Sequence, residues 1–131
     1  MIRLDHVALY TTQLEVLRDF YLRYFKATSN EKYLNPRKGF ASYFLSFEGE
    51  ARLEIMQKDS VWDEYSGEHS EYLGFTHLAF SVGNEKHVDE LTERLRADGH
   101  NVVGEPRRTG DGYYESVILD PDGNRIEIVA G

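Results

Sequence analysis

In LDHVALY (4–10) apolar and polar positions alternate, with Asp5, Val7 and Leu9 on one side and Leu4, His6, Ala8 and Tyr10 on the other. A period of two predicts a strand. The period then lengthens. Leu14, Leu17, Tyr21, Tyr24 and Phe25 recur at helical spacing. Thr12-x-x-Glu15 reads as a capping box opening that helix, which is expected to end near Lys26. Extended segments follow at roughly 30–34, 40–47 and 51–57. Asn35-Pro36-Arg37-Lys38-Gly39 and Glu48-Gly49-Glu50 separate them, both rich in turn formers.

The same order then returns. FTHLAFS (75–81) alternates with Thr76, Leu78 and Phe80 opposite Phe75, His77, Ala79 and Ser81. Asn84 is the expected N-cap of a second helix striped by Val88, Leu91 and Leu95 and stopped by Gly99. Segments at roughly 101–104, 113–119 and 124–130 complete it, divided by Gly110-Asp111-Gly112 and Asp120-Pro121-Asp122-Gly123. The chain thus repeats itself. The expected fold class is α+β: two paired βαβββ modules, about 3–57 and 75–130, joined by the polar, acidic linker 58–74 within a single domain 1–131. Trp62 of the linker is expected to pack against a module.

The repeat carries ionisable residues in matched phase. His6 and Glu54 stand 48 residues apart, His77 and Glu127 stand 50 apart. The two Glu-bearing strands, RLEIMQ (52–57) and RIEIVA (125–130), are near copies. Leu53 and Ile55 share one face and Arg52, Glu54 and Met56 the other; Ile126 and Ile128 oppose Arg125, Glu127 and Val129 in the same way. The apolar faces should meet each module's helix, so the His and Glu side chains face away from it. If the two sheets curve toward one another, those faces line a cup.

Singly, such residues are ordinary. A Glu on an antiparallel strand usually faces solvent, and a strand His is usually hydrogen-bonded. Four of them in phase, in two copies of one module, are far harder to obtain by chance. Two imidazoles and two carboxylates make a donor set for one divalent cation. The chain has no Cys, so the set suits Zn, Ni, Co, Fe or Mn without thiolate ligands. Tyr10, Arg52, Met56 and Arg125 share the donors' faces and are expected to line the site around a small-molecule substrate. For Arg52 and Arg125, pairing with a carboxylate or facing solvent is an equal alternative. His69, His87 and His100 are assigned no function, and the Gly-Asp-Gly at 110–112 is a turn rather than a phosphate cradle.

Charge and composition narrow the partners. A formal net charge of −8 argues against a nucleic-acid or anionic-membrane surface. No apolar run approaches a membrane span or a signal segment, and absence of Cys fits a reducing compartment, so a cytoplasmic location is expected.

With DHVAL, LEIM, THLAFSV and LDPDGNRIEI in place, the chain resembles the vicinal oxygen chelate superfamily over 3–130. That group includes glyoxalase I, fosfomycin-resistance transferases, methylmalonyl-CoA epimerase, extradiol dioxygenases and bleomycin-resistance proteins. The His, Glu, His, Glu set is most similar to glyoxalase I. The resemblance implies that His6, Glu54, His77 and Glu127 hold one metal ion, with water completing an octahedron. It implies a lyase or isomerase acting on neighbouring oxygens, such as a 2-oxoaldehyde–thiol hemithioacetal, with Glu127 as principal base and Glu54 as partner. It also implies a homodimer. Two departures bear on the thiol: Tyr10 stands where bacterial glyoxalase I carries Arg, and Lys58 where it carries Asn. The glutathione-reading residues are therefore not evident. A metal-free ligand-sequestering protein, acyl-CoA epimerisation and thiol transfer to an epoxide are the alternatives the same fold allows.

Overall fold

The computed structural model describes residues 1–61 and 74–131. Trp62 and His69 lie outside them. The chain divides into two compact units, Met1–Gly67 and Glu68–Gly131, each with one sheet and one α-helix. Its fold class is mixed α+β, as the patterning predicts.

In the first unit, β1 (His6–Tyr10) leads to α1 (Leu14–Phe25), then β2 (Thr28–Ser29), β3 (Tyr33–Asn35), a 3-10 turn at Pro36–Lys38, β4 (Phe40–Ser46) and β5 (Arg52–Lys58). The sheet runs β1-β5-β4-β2, with β3 also on β4. Only β1 and β5 are parallel. Leu14, Leu17, Phe20, Tyr21 and Tyr24 of α1 are buried, as are Tyr43, Leu45, Leu53 and Ile55 of the strands. Phe25, expected on the apolar stripe, is only half-buried. Lys26 ends the helix in a left-handed conformation, φ +54°.

Two local expectations are corrected. Thr12 and Glu15 do not form a capping box. The helix begins at Leu14, with Gln13 at the N-cap position and no side-chain capping bond. Thr11 Oγ1 instead accepts the Gln13 N–H, at 3.0 Å. The Glu15 carboxylate turns to the sheet, accepting the Tyr43 hydroxyl at 2.8 Å and pairing with Lys32 Nζ at 2.9 Å. Second, the expected strand at 30–34 is broken into β2 and β3. Asn30 sits at the break and bonds Phe44 twice: its N–H donates to the Phe44 carbonyl, and its Oδ1 accepts the Phe44 N–H. A side-chain acceptor thus replaces one ladder bond.

In the second unit, β6 (His77–Ser81) and α2 (Glu85–Ala97) precede β7 (Val102–Arg108), β8 (Tyr114–Leu119) and β9 (Arg125–Val129). The sheet order is β6-β9-β8-β7, with β6 and β9 parallel. Asn84 caps α2 as expected, its Oδ1 accepting the His87 N–H at 2.8 Å. Val88, Thr92 and Leu95 of α2 and Ser116, Ile118, Ile126 and Ile128 of the sheet are fully buried. β7 is longer than expected and carries Pro106. It is an edge strand with two register shifts, where a residue lacking an N–H is tolerated.

Candidate functional site

Parallel pairing places the expected donors next to one another within each unit. In the first, His6 pairs with Arg52, Ala8 with Glu54 and Tyr10 with Met56. In the second, His77 pairs with Arg125, Ala79 with Glu127 and Ser81 with Val129. Each His therefore shares a sheet face with the Glu of the neighbouring strand. That Glu lies two residues further along and is flanked by an Ala whose small side chain leaves room. The other face carries the core-facing Leu53, Ile55, Ile126 and Ile128. Period-two phasing thus assigns the faces correctly on all four strands.

The side chains meet. His6 Nε2 stands 3.7 Å from Glu54 Oε1, and His77 Nε2 stands 3.3 Å from Glu127 Oε2. The imidazoles are partly open, each with 38% of its side chain exposed, while Glu54 and Glu127 retain 18% and 21%. Two donors held about 2.1 Å from a common ion lie about 3.0–3.4 Å apart. The second pair falls in that range and the first slightly beyond it. Imidazole nitrogen and carboxylate oxygen without sulfur form a donor set of the right chemistry for a borderline divalent metal. Among the described residues no three His, Asp or Glu side chains gather as a metal-holding group. Each unit presents one His–Glu pair, two of the four donors expected from the sequence.

The surroundings of the pairs differ. Asp5 Oδ2 lies 2.6 Å from His6 Nδ1 and accepts from Arg52 Nη2 at 2.8 Å. These contacts hold the Asp5 carboxyl below its ordinary range, the His6 bond contributing most. The Arg52 guanidinium lies 4.4 Å over the Phe44 ring, whose face or edge meets the His6 ring at 85° and 5.3 Å. Arg52 is thus committed to Asp5 and Phe44, the carboxylate-pairing alternative. Tyr10 is half exposed and Met56 partly buried beside it. In the second unit Thr76 Oγ1 takes the place of Asp5, 3.0 Å from His77 Nδ1. Val117, the strand partner of Glu127, takes that of Phe44, the strand partner of Glu54.

One residue of this face was not singled out in the sequence. Glu115, only 8% exposed, sits on β8 in phase with Val117 and hydrogen-bonds Glu127. Burial pushes its carboxyl up from the ordinary value, and the Glu127 charge and that hydrogen bond push it further. The signal was available: in YESVIL (114–119) Glu115 alternates with Val117 and Leu119, opposite the core-facing Ser116 and Ile118. A shallow depression elsewhere on this unit is lined by Arg108 and Tyr114. Those side chains are committed to Glu85 and Asp89, and no His–Glu donor lines it.

Residues 3–128 match the family described as the Glyoxalase/Bleomycin resistance protein/Dioxygenase superfamily, and the chain belongs to it. It is similar to the Uncharacterized protein YqjT of Bacillus subtilis (strain 168), 31% identical over 132 residues that cover 97% of this chain and 98% of that one. It is also similar to Lactoylglutathione lyase GLX1 of Arabidopsis thaliana, 29% identical over 128 residues, 97% of this chain and 44% of that protein. Among solved structures, glyoxalase I from Zea mays superposes with a TM-score of 0.78 at 23% identity, over 98% of this chain and 44% of that one. That likeness is one of fold. The chain spans less than half the length of both plant proteins. No helix among the described residues is long and apolar enough to cross a membrane.

Proposed function

We propose that this chain is a divalent-metal-dependent lyase or isomerase of the glyoxalase type, acting on a small substrate with neighbouring oxygens. One observation carries the proposal: the same His–Glu pair recurs in both units, on the same strand positions, with Nε2-to-oxygen separations of 3.7 and 3.3 Å. Where Nε2 presents its lone pair to the carboxylate oxygen, a cation between the two satisfies both groups. His6 and Glu54 supply one half of the ligand set and His77 and Glu127 the other. The halves combine within one chain or across a homodimer, and the ion is Zn, Ni, Co, Fe or Mn.

When bound, such an ion supplies Lewis-acid polarisation of the substrate oxygens. The chain's own residues do the rest. Glu127 acts as general base, taking a proton from a substrate carbon and returning it to the neighbouring carbon. Glu54 is its partner on the duplicated strand. Ala8 beside Glu54 in one unit, and Ala79 beside Glu127 in the other, each leave room next to the pair on their own sheet. Tyr10 and Met56 flank the first pair on its own sheet face, and Arg125 flanks the second on its own. The family fold supports this class of chemistry without fixing the substrate. The likeness to a lactoylglutathione lyase favours a hemithioacetal, while Tyr10 and Lys58 disfavour glutathione as its thiol.

Elemental analysis of protein purified without added metal is the decisive measurement, followed by turnover of methylglyoxal–thiol hemithioacetals. A stoichiometric transition metal that survives dialysis is expected. Metal-replete protein inert with every thiol tested would remove glyoxalase activity from consideration. Protein that binds no transition metal at any concentration tried would overturn the proposal in favour of metal-free sequestration.

A further inference from the structure

The two half-sites are not equivalent, and the difference lies one residue before each His. A carboxylate accepts hydrogen bonds and cannot donate them. With Asp5 Oδ2 2.6 Å from His6 Nδ1, the ring proton of a neutral His6 sits on Nδ1, and Nε2 presents a lone pair. That lone pair faces Glu54 Oε1. The same Asp5 oxygen is held by Arg52 Nη2 at 2.8 Å, and the Arg52 backbone N–H donates to the Asp5 carbonyl at 3.0 Å. Asp5 is therefore fixed at both its backbone and its side chain to the strand that carries Glu54. Phe44, beneath the Arg52 guanidinium, closes another side of the imidazole. The second unit lacks this clamp. Thr76 faces His77 Nδ1 with a hydroxyl that can donate or accept, so it does not select a tautomer. Arg125 occupies the position of Arg52 with no carboxylate at residue 76 to hold.

We infer that Asp5, clamped by Arg52, is the positioning residue of His6: it holds the imidazole as the Nδ1–H tautomer and aims Nε2 at the Glu54 carboxylate. The first half-site is thereby set before any ligand arrives, and the second is adjustable. The inference builds on the metal reading above, since a preset Nε2 lone pair is what an incoming cation requires. Asp5 keeps 66% of its side chain exposed, so its role is orientation rather than stability.

The test begins on metal-free protein, with the ring nitrogens of His6 assigned by 15N–1H correlation NMR about two pH units above the ordinary imidazole value. Wild-type His6 is expected as Nδ1–H. Asp5→Ala should move it toward Nε2–H, whereas Asp5→Asn, which keeps an oxygen acceptor, should largely retain Nδ1–H. Thr76→Val should leave His6 unchanged. In competition titrations with Zn, Asp5→Ala should weaken binding by about 10–100-fold, the usual effect of losing an outer partner of a ligating His. Asp5→Asn should weaken it less. An Nε2–H majority in the wild type, or an unchanged tautomer in Asp5→Ala, overturns the inference. Because the tautomer is read without metal, wild-type protein that takes up no Zn sinks the metal reading while the NMR result still decides the role of Asp5.

Discussion

Asp120 holds Asn124 at both ends of its carboxylate: Oδ1 accepts the Asn124 backbone N–H at 2.9 Å, and Oδ2 accepts the side-chain amide at 2.8 Å. Oδ1 also takes the Asp122 N–H, and the Asp120 carbonyl takes that of Gly123, which sits at φ +84°. This side-chain turn delivers the chain into β9 one residue before Arg125 and three before Glu127. Asp120 is 4% exposed, so water does not readily replace it. Asp120→Ala should cost about 1–3 kcal/mol, the usual worth of hydrogen bonds to a charged group. Urea unfolding measures it. The variant should also weaken metal uptake, though less than Glu127→Gln, because the β8 ladder still holds β9 in register. Equal stability in wild type and variant would mean that the turn does not depend on the carboxylate.

Removal of any one donor should separate binding from folding. The His6, Glu54, His77 and Glu127 side chains lie on the face away from the cores. His77→Ala and Glu54→Gln should therefore change stability by no more than about 0.5 kcal/mol. Metal affinity should fall by more than about 100-fold, beyond the range of outer-partner losses. Circular dichroism and a competition titration give both numbers. A variant that keeps wild-type affinity identifies a side chain that is not a ligand.

These two predictions mark what was legible in the chain. Period-two alternation is a strong signal where one sheet face packs on a helix, so it assigned Leu53, Ile55, Ile126 and Ile128 inward and both Glu residues outward. Local chemistry at the Asn84 cap and near Lys26 was equally readable. Longer-range bonding was not. Thr12-x-x-Glu15 fits a capping box, but a buried Tyr43 hydroxyl and Lys32, distant in sequence, compete for the same carboxylate and win. The break between β2 and β3 depends on Asn30 reaching Phe44 across the sheet, which no local pattern reveals. The Asp5–Arg52 clamp was hidden for the same reason: it joins strands 47 residues apart.

The core of the second unit contains a polar pair whose coupling can be measured. Thr92 Oγ1 donates to the Val88 carbonyl at 2.6 Å and meets Ser116 Oγ at 2.7 Å, both residues fully buried. Thr92→Val leaves the Ser116 hydroxyl without this partner and should cost about 1–3 kcal/mol. Ser116→Ala should cost about 1 kcal/mol, since Thr92 keeps its bond to Val88. The double variant removes both hydroxyls, so its cost should fall short of the sum by at least about 0.5 kcal/mol. Additive losses would show that the two hydroxyls do not stabilise one another.

Glu15 gives the first unit a defined acid sensitivity. The hydrogen bond from Lys32 lowers its carboxyl below the ordinary value, burial opposes that, and the Tyr43 hydroxyl reinforces it. A carboxyl whose folded-state pKa lies below its unfolded one binds its proton less readily when folded. Its contribution to stability is complete above the unfolded value of about 4.5 and disappears as pH falls through the folded value. Glu15 retains 54% of its side chain in solvent and Lys32 retains 36%, so screening limits the gain to less than about 1 kcal/mol. Glu15→Gln should therefore destabilise the protein modestly at pH 7. The gap between variant and wild type should narrow as pH falls below about 4.5 and should shrink at neutral pH in high salt. Urea unfolding at several pH values, with and without about 1 M NaCl, measures both trends. A gap that widens toward low pH would reverse the sign and rule out the Lys32 bond as its source.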